Sequence, residues 1–374
     1  MPKWLRLCAV PLVGLSLVAA ACGSDEPTDN GTNAAGGEET SAAGGEECTS
    51  DIRVGVALDI GGLGDNGFND LSKIGLDKAI DEGIICEANT KFLEANSEGT
   101  NLDENTESMA ADGYDLVIGT GFAFTPGINA IAPDYPDTSF GIIDGYATCG
   151  TACGLDNDAD AIPNVTDLAF QEEQGSYLVG VAAALKAEET NCDTIGFLGG
   201  QTGPLIEKFE AGYAAGVADT VKGITVLVEY VGDTTKAFDD ILGGEVKANK
   251  LFDDGACIVY HAAGDAGNGL FKAAAEQQKI AIGVDSDQHE IVSADQAEWI
   301  MTSMIKRVDT AVYDTIAAVA DGSFEGGGQV FGLVDEGISY ATSNPDLMSQ
   351  EIVDAVEEAK QKILDGDIEP PTEP

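Results

Sequence analysis

From residue 52 onward, short apolar runs alternate with longer amphipathic segments along the chain. A first series of apolar, often β-branched runs predicts strands at 52–59, 91–95, 115–119, 139–143 and 165–169. A second series predicts strands at 194–198, 225–230, 257–262 and 280–284. The amphipathic segments predict helices at 69–82, 101–112, 171–188, 204–219, 237–252 and 267–277. This alternation predicts parallel sheets with helices on both faces.

The two series have similar lengths and the same order, which predicts an α/β fold of two lobes. We expect a helix at 297–321 and an acidic helix at 346–365 to return the chain across the junction. The predicted boundaries are a first lobe of 48–166 plus 290–322, a second lobe of 167–289 plus 323–345, and a C-terminal helix and tail at 346–374. Ligands of such sheets bind beyond the carboxyl ends of the strands, so we expect a site between the lobes that closes by a hinge.

The N-terminus has the pattern of an export signal. Lys3 and Arg6 precede an apolar run over 7–21, which is shorter than the ~20 residues that span a bilayer. Small residues directly before Cys22 resemble the lipobox of bacterial lipoproteins, in which that cysteine becomes the N-terminus and carries the lipid. An ordinary signal peptide with an incidental cysteine is the alternative. We predict a signal peptide at 1–21 and an extracytoplasmic protein anchored to the cell membrane.

The segment 22–47 consists of Gly, Ala, Ser, Thr, Asn, Asp and Glu with almost no large apolar side chain. It cannot bury enough surface to offset chain entropy, which predicts a disordered acidic linker behind the lipid. The whole chain carries 66 acidic against 18 basic residues, a formal net charge of -48. Such a surface repels nucleic acid, which is therefore not an expected partner. The acidity fits either solubility in salty surroundings or simply a heavily solvated surface.

The cysteines indicate which strands are neighbours. Six remain after the signal and the lipid-bearing residue, and six cysteines allow 15 pairings. Cys48 and Cys86 each precede a predicted strand of the first lobe, and Cys192 and Cys257 do so in the second. If those strands are parallel neighbours, each pair lies at one end of its sheet. We therefore predict the disulfides 48–86, 192–257 and, closing a small loop, 149–153. A metal site is the weaker alternative, because the spacing matches no zinc pattern.

Polar residues follow the predicted strands where a ligand would lie. The first strand leads into the glycine-rich segment 59–70, in which Asp59, Asp65 and Asn69 offer hydrogen bonds and Phe68 offers a flat face. The segment lacks the spacing of a dinucleotide-binding loop. Its acidic and amide side chains also suit a capped helix start, an alternative that the residues leave open.

Carboxylates recur at the strand ends of both predicted lobes. Asp144 follows the fourth strand, Asp265 follows the strand at 257–262, and Asp285 follows the strand at 280–284. Ionised carboxylates only accept hydrogen bonds, which suits paired sugar hydroxyls or a cation. The acidic run 156–160 lacks the Gly and the terminal Glu of a calcium loop, so we predict a solvated loop there and no metal or cofactor.

Four motifs occur in order along the chain: Asp59…Gly64-Asp65…Phe68-Asn69, Glu173-Gln-Gly-Ser-Tyr-Leu-Val-Gly180, Gly283-Val-Asp-Ser-Asp-Gln288 and Thr302-Ser-Met-Ile-Lys306. Together they resemble the basic membrane protein family, which includes the purine nucleoside receptor lipoproteins of ABC transporters. The resemblance runs from about residue 52 to about residue 340. It implies a type I periplasmic binding protein, with two α/β lobes joined by a three-segment hinge, and a purine nucleoside held between the lobes.

The resemblance also implies a binding residue at each matched position. Phe68 and Asn69 correspond to the family's base-stacking aromatic and base-reading amide, and Asp59 to a carboxylate that reaches the base. The other matches are Asp144 as a first-lobe polar contact, Asp285 as the ribose-binding carboxylate, Gly264 as a backbone contact, Lys306 as the cleft lysine, and Phe238, or alternatively Phe209, as the second stacking aromatic. The implied partners are an ABC permease and a small ligand, with the protein a monomer.

Three other functions are compatible with the same residues. A nucleoside-cleaving enzyme would use the aspartates with a metal, but the sequence shows no acid–base pair with histidine, and we predict no enzyme. A binding protein for a sugar or a similar solute would also stack its ligand on aromatic rings, without needing a base-edge amide. A signalling protein that presents its ligand state to a receptor is the third alternative.

Overall fold

The computed structural model describes residues 48–146 and 162–374. The predicted signal peptide, the predicted lipidation site Cys22, the predicted acidic linker, the run 156–160 and the predicted disulfide Cys149–Cys153 lie outside these residues.

The described residues form an alternating series of strands and helices. The strands are β1 Val54–Leu58, β2 Thr90–Glu94, β3 Leu116–Thr120, β4 Ser139–Ile143, β5 Val165–Phe170, β6 Thr194–Gln201, β7 Thr225–Gly232, β8 Ile258–Ala262, β9 Ile280–Asp285, β10 Ile300–Lys306, β11 Gly327–Phe331 and β12 Ile338–Tyr340. The helices are α1 Phe68–Asp81, α2 Leu102–Ala111, α3 Thr125–Ile131, α4 Glu172–Glu189, α5 Pro204–Thr220, α6 Ile241–Asp253, α7 Gly267–Gln277, α8 Ala294–Ala297, α9 Val308–Asp321 and α10 Gln350–Leu364.

These strands form two six-stranded sheets, one for each lobe. The first has the order β11-β5-β4-β3-β1-β2, and the second has the order β12-β10-β9-β8-β6-β7. Every pairing is parallel except β10 with β12. The central strands β1, β3 and β8 are buried along their whole length, as expected for sheets covered on both faces. The predicted two-lobed α/β fold is confirmed.

The segment around residue 300 corrects the sequence analysis. The predicted helix at 297–321 is wrong in its first part, where β10 pairs with β9 in the second sheet and only α9 is helical. Ile300–Lys306 is a short apolar run, and periodicity does not separate a buried strand from a helix over that length. The segment 290–322, assigned to the first lobe, is therefore divided between the lobes.

Two further lobe boundaries differ from the sequence assignment. The strand β11 pairs with β5 in the first sheet, although the segment 323–345 was assigned to the second lobe. β5 itself also belongs to the first sheet beyond the predicted boundary at 166. The chain thus passes between the lobes three times, after β5, after β10 and after β11. Strand partners depend on long-range contacts, which a local pattern does not contain.

Two disulfides connect the amino ends of neighbouring strands. Cys48 is joined to Cys86 beside β1 and β2, with a Cα–Cα distance of 5.2 Å, and Cys192 is joined to Cys257 beside β6 and β8, at 6.5 Å. Both are pairings that the strand positions predict. A cross-link of this kind restricts the unfolded chain and so stabilises the lobe that contains it.

Candidate ligand-binding site

One cavity lies between the lobes at the carboxyl ends of both sheets, with about 620 Å³ of space between its atoms including the part open to solvent. All eight residues implied by the family resemblance line it: Asp59, Phe68, Asn69, Asp144, Phe238, Gly264, Asp285 and Lys306. The strands β1, β4, β9 and β10 end at the cavity, which is how residues far apart in sequence meet there.

The loop between β1 and α1 forms one wall of the cavity. Asp59 lies directly after β1, and its Oδ1 accepts a 2.7 Å hydrogen bond from the backbone N–H of Ile60. Gly121 has a φ of 119° and faces the other carboxylate oxygen so closely that a Cβ there would overlap it. Glycine is therefore required beside Asp59 both for its backbone conformation and for space.

Aromatic rings from both lobes face the cavity. Phe68 and Phe122 come from the first lobe, and Phe209 and Phe238 come from the second. The rings of Phe122 and Phe238 meet edge to face across the cleft, with centroids 6.4 Å apart. Phe209, the alternative second stacking aromatic, lines the same cavity as Phe238. The cavity therefore offers flat apolar faces on both sides of the gap.

Lys306 lies at the end of β10 and is 1% exposed. Its Nζ donates to Asp144 of the first lobe at 2.8 Å and to Glu172 of α4 at 3.1 Å. It also lies 5.2 Å from the Phe68 ring centroid. Burial lowers the pKa of Lys306, but the neighbouring carboxylates outweigh it and raise the pKa above its usual value. The lysine therefore remains charged and holds the two lobes together through an ion pair.

The carboxyl groups of the cavity are desolvated. Burial raises the pKa of Asp59 to about 6 and that of Asp285 to about 7, and Lys306 opposes the shift at Asp285. Burial also raises the pKa of Asp144 to about 6 against the lowering effect of Lys306. Among the described residues that line the cavity, Lys306 is the sole cation, and five are aspartates. The negative electrostatic potential of the cavity therefore disfavours anionic ligands and favours ligands that donate hydrogen bonds.

Asp144 and Asp285 share an unusual backbone conformation. Their φ angles are 59° and 65°, in the left-handed region that residues with a side chain rarely occupy. Each of them lies at the end of the strand in the same place of its sheet, β4 in the first lobe and β9 in the second. Such strain persists where the surrounding structure enforces it, and it concentrates at functional sites.

Contacts outside the cavity also connect the lobes. Asn66 of the first lobe donates from Nδ2 to Oδ1 of Asn268 at 3.1 Å, and its carbonyl oxygen accepts from Nε2 of Gln288 at 3.3 Å. Lys236 of the second lobe forms an ion pair with Glu98 of the first. These contacts hold the lobes in a closed arrangement over the cavity.

Some strand-end acids lie outside the cavity, and some cavity residues were not selected from the sequence. Asp240 caps α6 by accepting from the Gly243 N–H at 2.8 Å, which is the structural role expected of most such residues. Phe122 lies within the aromatic stretch that follows β3 and could have been found there. Glu172, in contrast, is one of several acids near the start of α4, and only packing makes it the partner of Lys306.

Within residues 48–146 and 162–374, no group of three or more His, Cys, Asp or Glu side chains is arranged to hold a metal ion. None of the helices in this part of the chain is long and apolar enough to cross a membrane.

Comparisons with known proteins agree with this architecture. The chain is 30% identical over 385 residues to the ABC transporter nucleoside-binding protein BmpA of Lactococcus lactis, covering 98% of this chain and 99% of the relative. It is also 30% identical over 390 residues to an uncharacterized lipoprotein of Pyrococcus horikoshii, covering 97% of this chain and 87% of the relative.

A solved solute-binding protein of an ABC transporter system from Aeropyrum pernix superposes with a TM-score of 0.72 at 26% identity, covering 85% of this chain and 92% of the other. A model of the Bmp family, described as ABC transporter substrate-binding protein PnrA-like, matches residues 52–373. The two-lobed fold, the cavity between the lobes and the match over nearly all described residues lead to one conclusion: this chain belongs to the Bmp family of ABC transporter substrate-binding proteins.

Proposed function

We propose that this chain is the lipid-anchored capture subunit of an ABC importer and that it binds a purine nucleoside in the cavity between its lobes. The observation that carries the proposal is the composition of the cavity wall, where aromatic rings of both lobes and buried carboxylates surround one gap. The Lactococcus lactis relative, named as nucleoside-binding, supports the same ligand class. Lipidation at Cys22 and delivery to a permease complete the proposed role.

The aromatic rings suit the base. Phe68 on one side of the cavity and Phe238 or Phe209 on the other offer faces for a flat heterocycle. Stacking of a base on an aromatic side chain contributes about 1–3 kcal/mol for each ring. The amide of Asn69 and the carboxylate of Asp59 lie on the same wall and supply hydrogen-bonding groups for the edge of the base.

The acids suit the ribose and discriminate against phosphate. Asp285 accepts no hydrogen bond from another side chain in the described residues, so its oxygens are available to ribose hydroxyls. A nucleotide would place its phosphate among five aspartates with one lysine that is already paired. We therefore expect nucleosides to bind and nucleotides to be rejected.

The experiment is a thermal-shift screen of the purified lipid-free protein against nucleosides, nucleotides, free bases and sugars. A purine nucleoside is expected to raise the melting temperature, because a ligand at 100 times its Kd adds about 2.7 kcal/mol to stability. Phe68→Ala and Asp285→Ala should abolish the shift. Phe92→Ala is the matched control for the loss of a ring, because Phe92 is 41% exposed on β2, outside the cavity.

The same screen separates the alternative functions. If only free sugars or amino acids raise the melting temperature, the nucleoside proposal is wrong. Release of free base from inosine during the incubation would instead identify an enzyme.

A further inference from the structure

Asp65 is a buried acid in the wall of the cavity, and the family resemblance assigns no role to it. It is 2% exposed, and its carboxylate organises the loop between β1 and α1. Its Oδ1 accepts from the backbone N–H groups of Gly67 at 3.0 Å and Asp70 at 3.2 Å. Its Oδ2 accepts from the backbone N–H of Asn69 at 2.8 Å and from the Asn69 side-chain Nδ2 at 3.0 Å.

These bonds define the orientation of the Asn69 amide. An ionised carboxylate only accepts hydrogen bonds, so the group of Asn69 that faces Asp65 must be its NH₂. The opposite end of the amide is fixed independently, because Asn69 Oδ1 accepts a 2.9 Å hydrogen bond from the backbone N–H of Asp59. A flipped amide would place its oxygen against a carboxylate and its NH₂ against an N–H, which is unfavourable at both ends.

The fixed amide decides what the wall presents to a ligand. One N–H of Asn69 is used by Asp65, and the second remains as a donor at the cavity. Asp59 uses Oδ1 for Ile60, so its Oδ2 remains as an acceptor on the same wall. A donor beside an acceptor is complementary to a heterocycle edge that displays an acceptor next to an N–H donor, as 6-oxo and 6-amino purines do.

We propose that Asp65 is a positioning residue that holds the Asn69 amide as a hydrogen-bond donor and thereby gives the site its selectivity for purines with a polar 6-substituent. This inference rests on the proposed function. Asparagine cannot replace Asp65 in this role, because all four of its neighbours in the loop are donors and an NH₂ group would face two of them. The isosteric change therefore releases the amide without removing volume.

The test measures Kd by isothermal titration for inosine, adenosine and purine riboside, which lacks the 6-substituent. The work is done at pH 8, because burial raises the pKa of Asp65 to about 6 and the carboxylate is ionised there. The wild-type protein should prefer inosine or adenosine over purine riboside by about tenfold or more, a factor that one or two directed hydrogen bonds provide. In Asp65→Asn this preference should fall to within about threefold.

A purely structural role for Asp65 would weaken all three ligands by the same factor and leave the preference intact. Asp70→Asn is the matched control, since Asp70 accepts from the N–H groups of Gly64 and Asn66 in the same loop but does not touch the Asn69 side chain. In that variant any loss of affinity should be equal for the three ligands. In an Asn69→Ala background, Asp65→Asn should leave the remaining preference unchanged, because the two residues act through one contact.

An unchanged preference in Asp65→Asn, or no preference in the wild-type protein, overturns the role of Asp65 while leaving nucleoside binding intact. If the wild-type protein binds none of the three nucleosides, the proposed function fails first and this inference fails with it.

Discussion

Asp144 and Asp285 occupy matching places in the two lobes, yet their surroundings differ. Both have a left-handed backbone, and both lie at the end of the equivalent strand of their sheet. The Nζ of Lys306 donates a hydrogen bond across the cleft to Asp144 at 2.8 Å, whereas its charge lowers the pKa of Asp285 without a hydrogen bond. One acid thus contributes to holding the lobes together, and the other keeps free oxygens towards the cavity. The two positions are equivalent in the fold, and they differ in role because Lys306 forms an ion pair with only one of them.

The largest expected effect comes from removing that cation. Lys306→Met leaves Asp144 and Glu172 buried without this cation, and Glu172 keeps only a 3.4 Å contact with Lys208, so the free energy of unfolding of the ligand-free protein should fall by about 3–5 kcal/mol. Urea denaturation at pH 8 measures the change. Lys272→Met, which removes an exposed lysine paired with Glu245, should change stability by less than about 1 kcal/mol. Equal losses in the two variants would contradict a structural role for the cross-lobe ion pair.

The two aspartates should separate stability from binding. Asp285→Asn should weaken nucleoside binding by about 100-fold, which is the loss of a charged hydrogen-bond acceptor, and should not lower the stability of the ligand-free protein. At pH 8 Asp144→Asn should raise that stability less than Asp285→Asn does, because the neutral amide relieves the desolvation of the acid but also removes a charged partner from Lys306. Calorimetric titration and urea denaturation of both variants give the four values. Equal changes of stability in the two variants would contradict different roles for the two aspartates.

The pH dependence of stability should also reflect the desolvated acids. The folded-state pKa of Asp285 is about 7 and that of Asp144 about 6, above the ordinary value of 3.8. Between about pH 4 and pH 7 the folded state therefore binds more protons than the unfolded state, and the free energy of unfolding should fall as the pH rises through that window. Melting temperatures of the ligand-free protein at pH 5 and pH 8 measure the difference.

Melting temperatures of the two variants at the same pH values separate the contributions of the two aspartates. The fall between pH 5 and pH 8 should be smaller in Asp285→Asn than in the wild-type protein. Asp144→Asn should reduce this pH-dependent loss of stability less than Asp285→Asn does, because Lys306 partly compensates the charge of Asp144 in the wild-type protein. A melting temperature that rises over this interval would show that these acids are not desolvated in the closed protein.

The smallest expected effect concerns the contact outside the cavity. Asn268→Ala removes the hydrogen bond to Asn66 that crosses the cleft, and it should weaken nucleoside binding by a factor of about 2–10, mainly through faster release. Stopped-flow release measures the rate. Gln277→Ala is the control, because it breaks a similar bond with Asn249 inside the second lobe. Equal release rates in the two variants would show that this contact does not hold the lobes closed.

Most elements of the fold follow from the local pattern. The strands β1 to β9 and the helices α4, α5 and α7 lie within a few residues of their predicted positions, because short apolar runs mark the strands and longer segments between them mark the helices. The strands β10, β11 and β12 were not predicted. Ile300–Lys306 is short and apolar, and whether it becomes a strand depends on a free edge of β9 being available.

Some residues of the candidate site were likewise predictable from the sequence, and others were not. Motif resemblance and strand-end position brought eight cavity residues forward, since parallel strands place their carboxyl ends together. Glu172 was not found, because nothing local distinguishes it from its acidic neighbours in the first turn of α4. The role of Asp65 also needed coordinates, since a capping acid and an acid that orients a neighbouring amide look the same in a sequence.

The sequence by itself determined the alternation of strands and helices, the acids at the strand ends and the cysteine pairs beside neighbouring strands, because each of these depends on near neighbours or on a shared end of a sheet. Only the tertiary structure decided which sheet β10 and β11 join, and which aspartate forms the ion pair with Lys306. Lys306 and Asp144 are 162 residues apart. Their attraction acts only after both lobes have folded and closed, so no local pattern of residues encodes it.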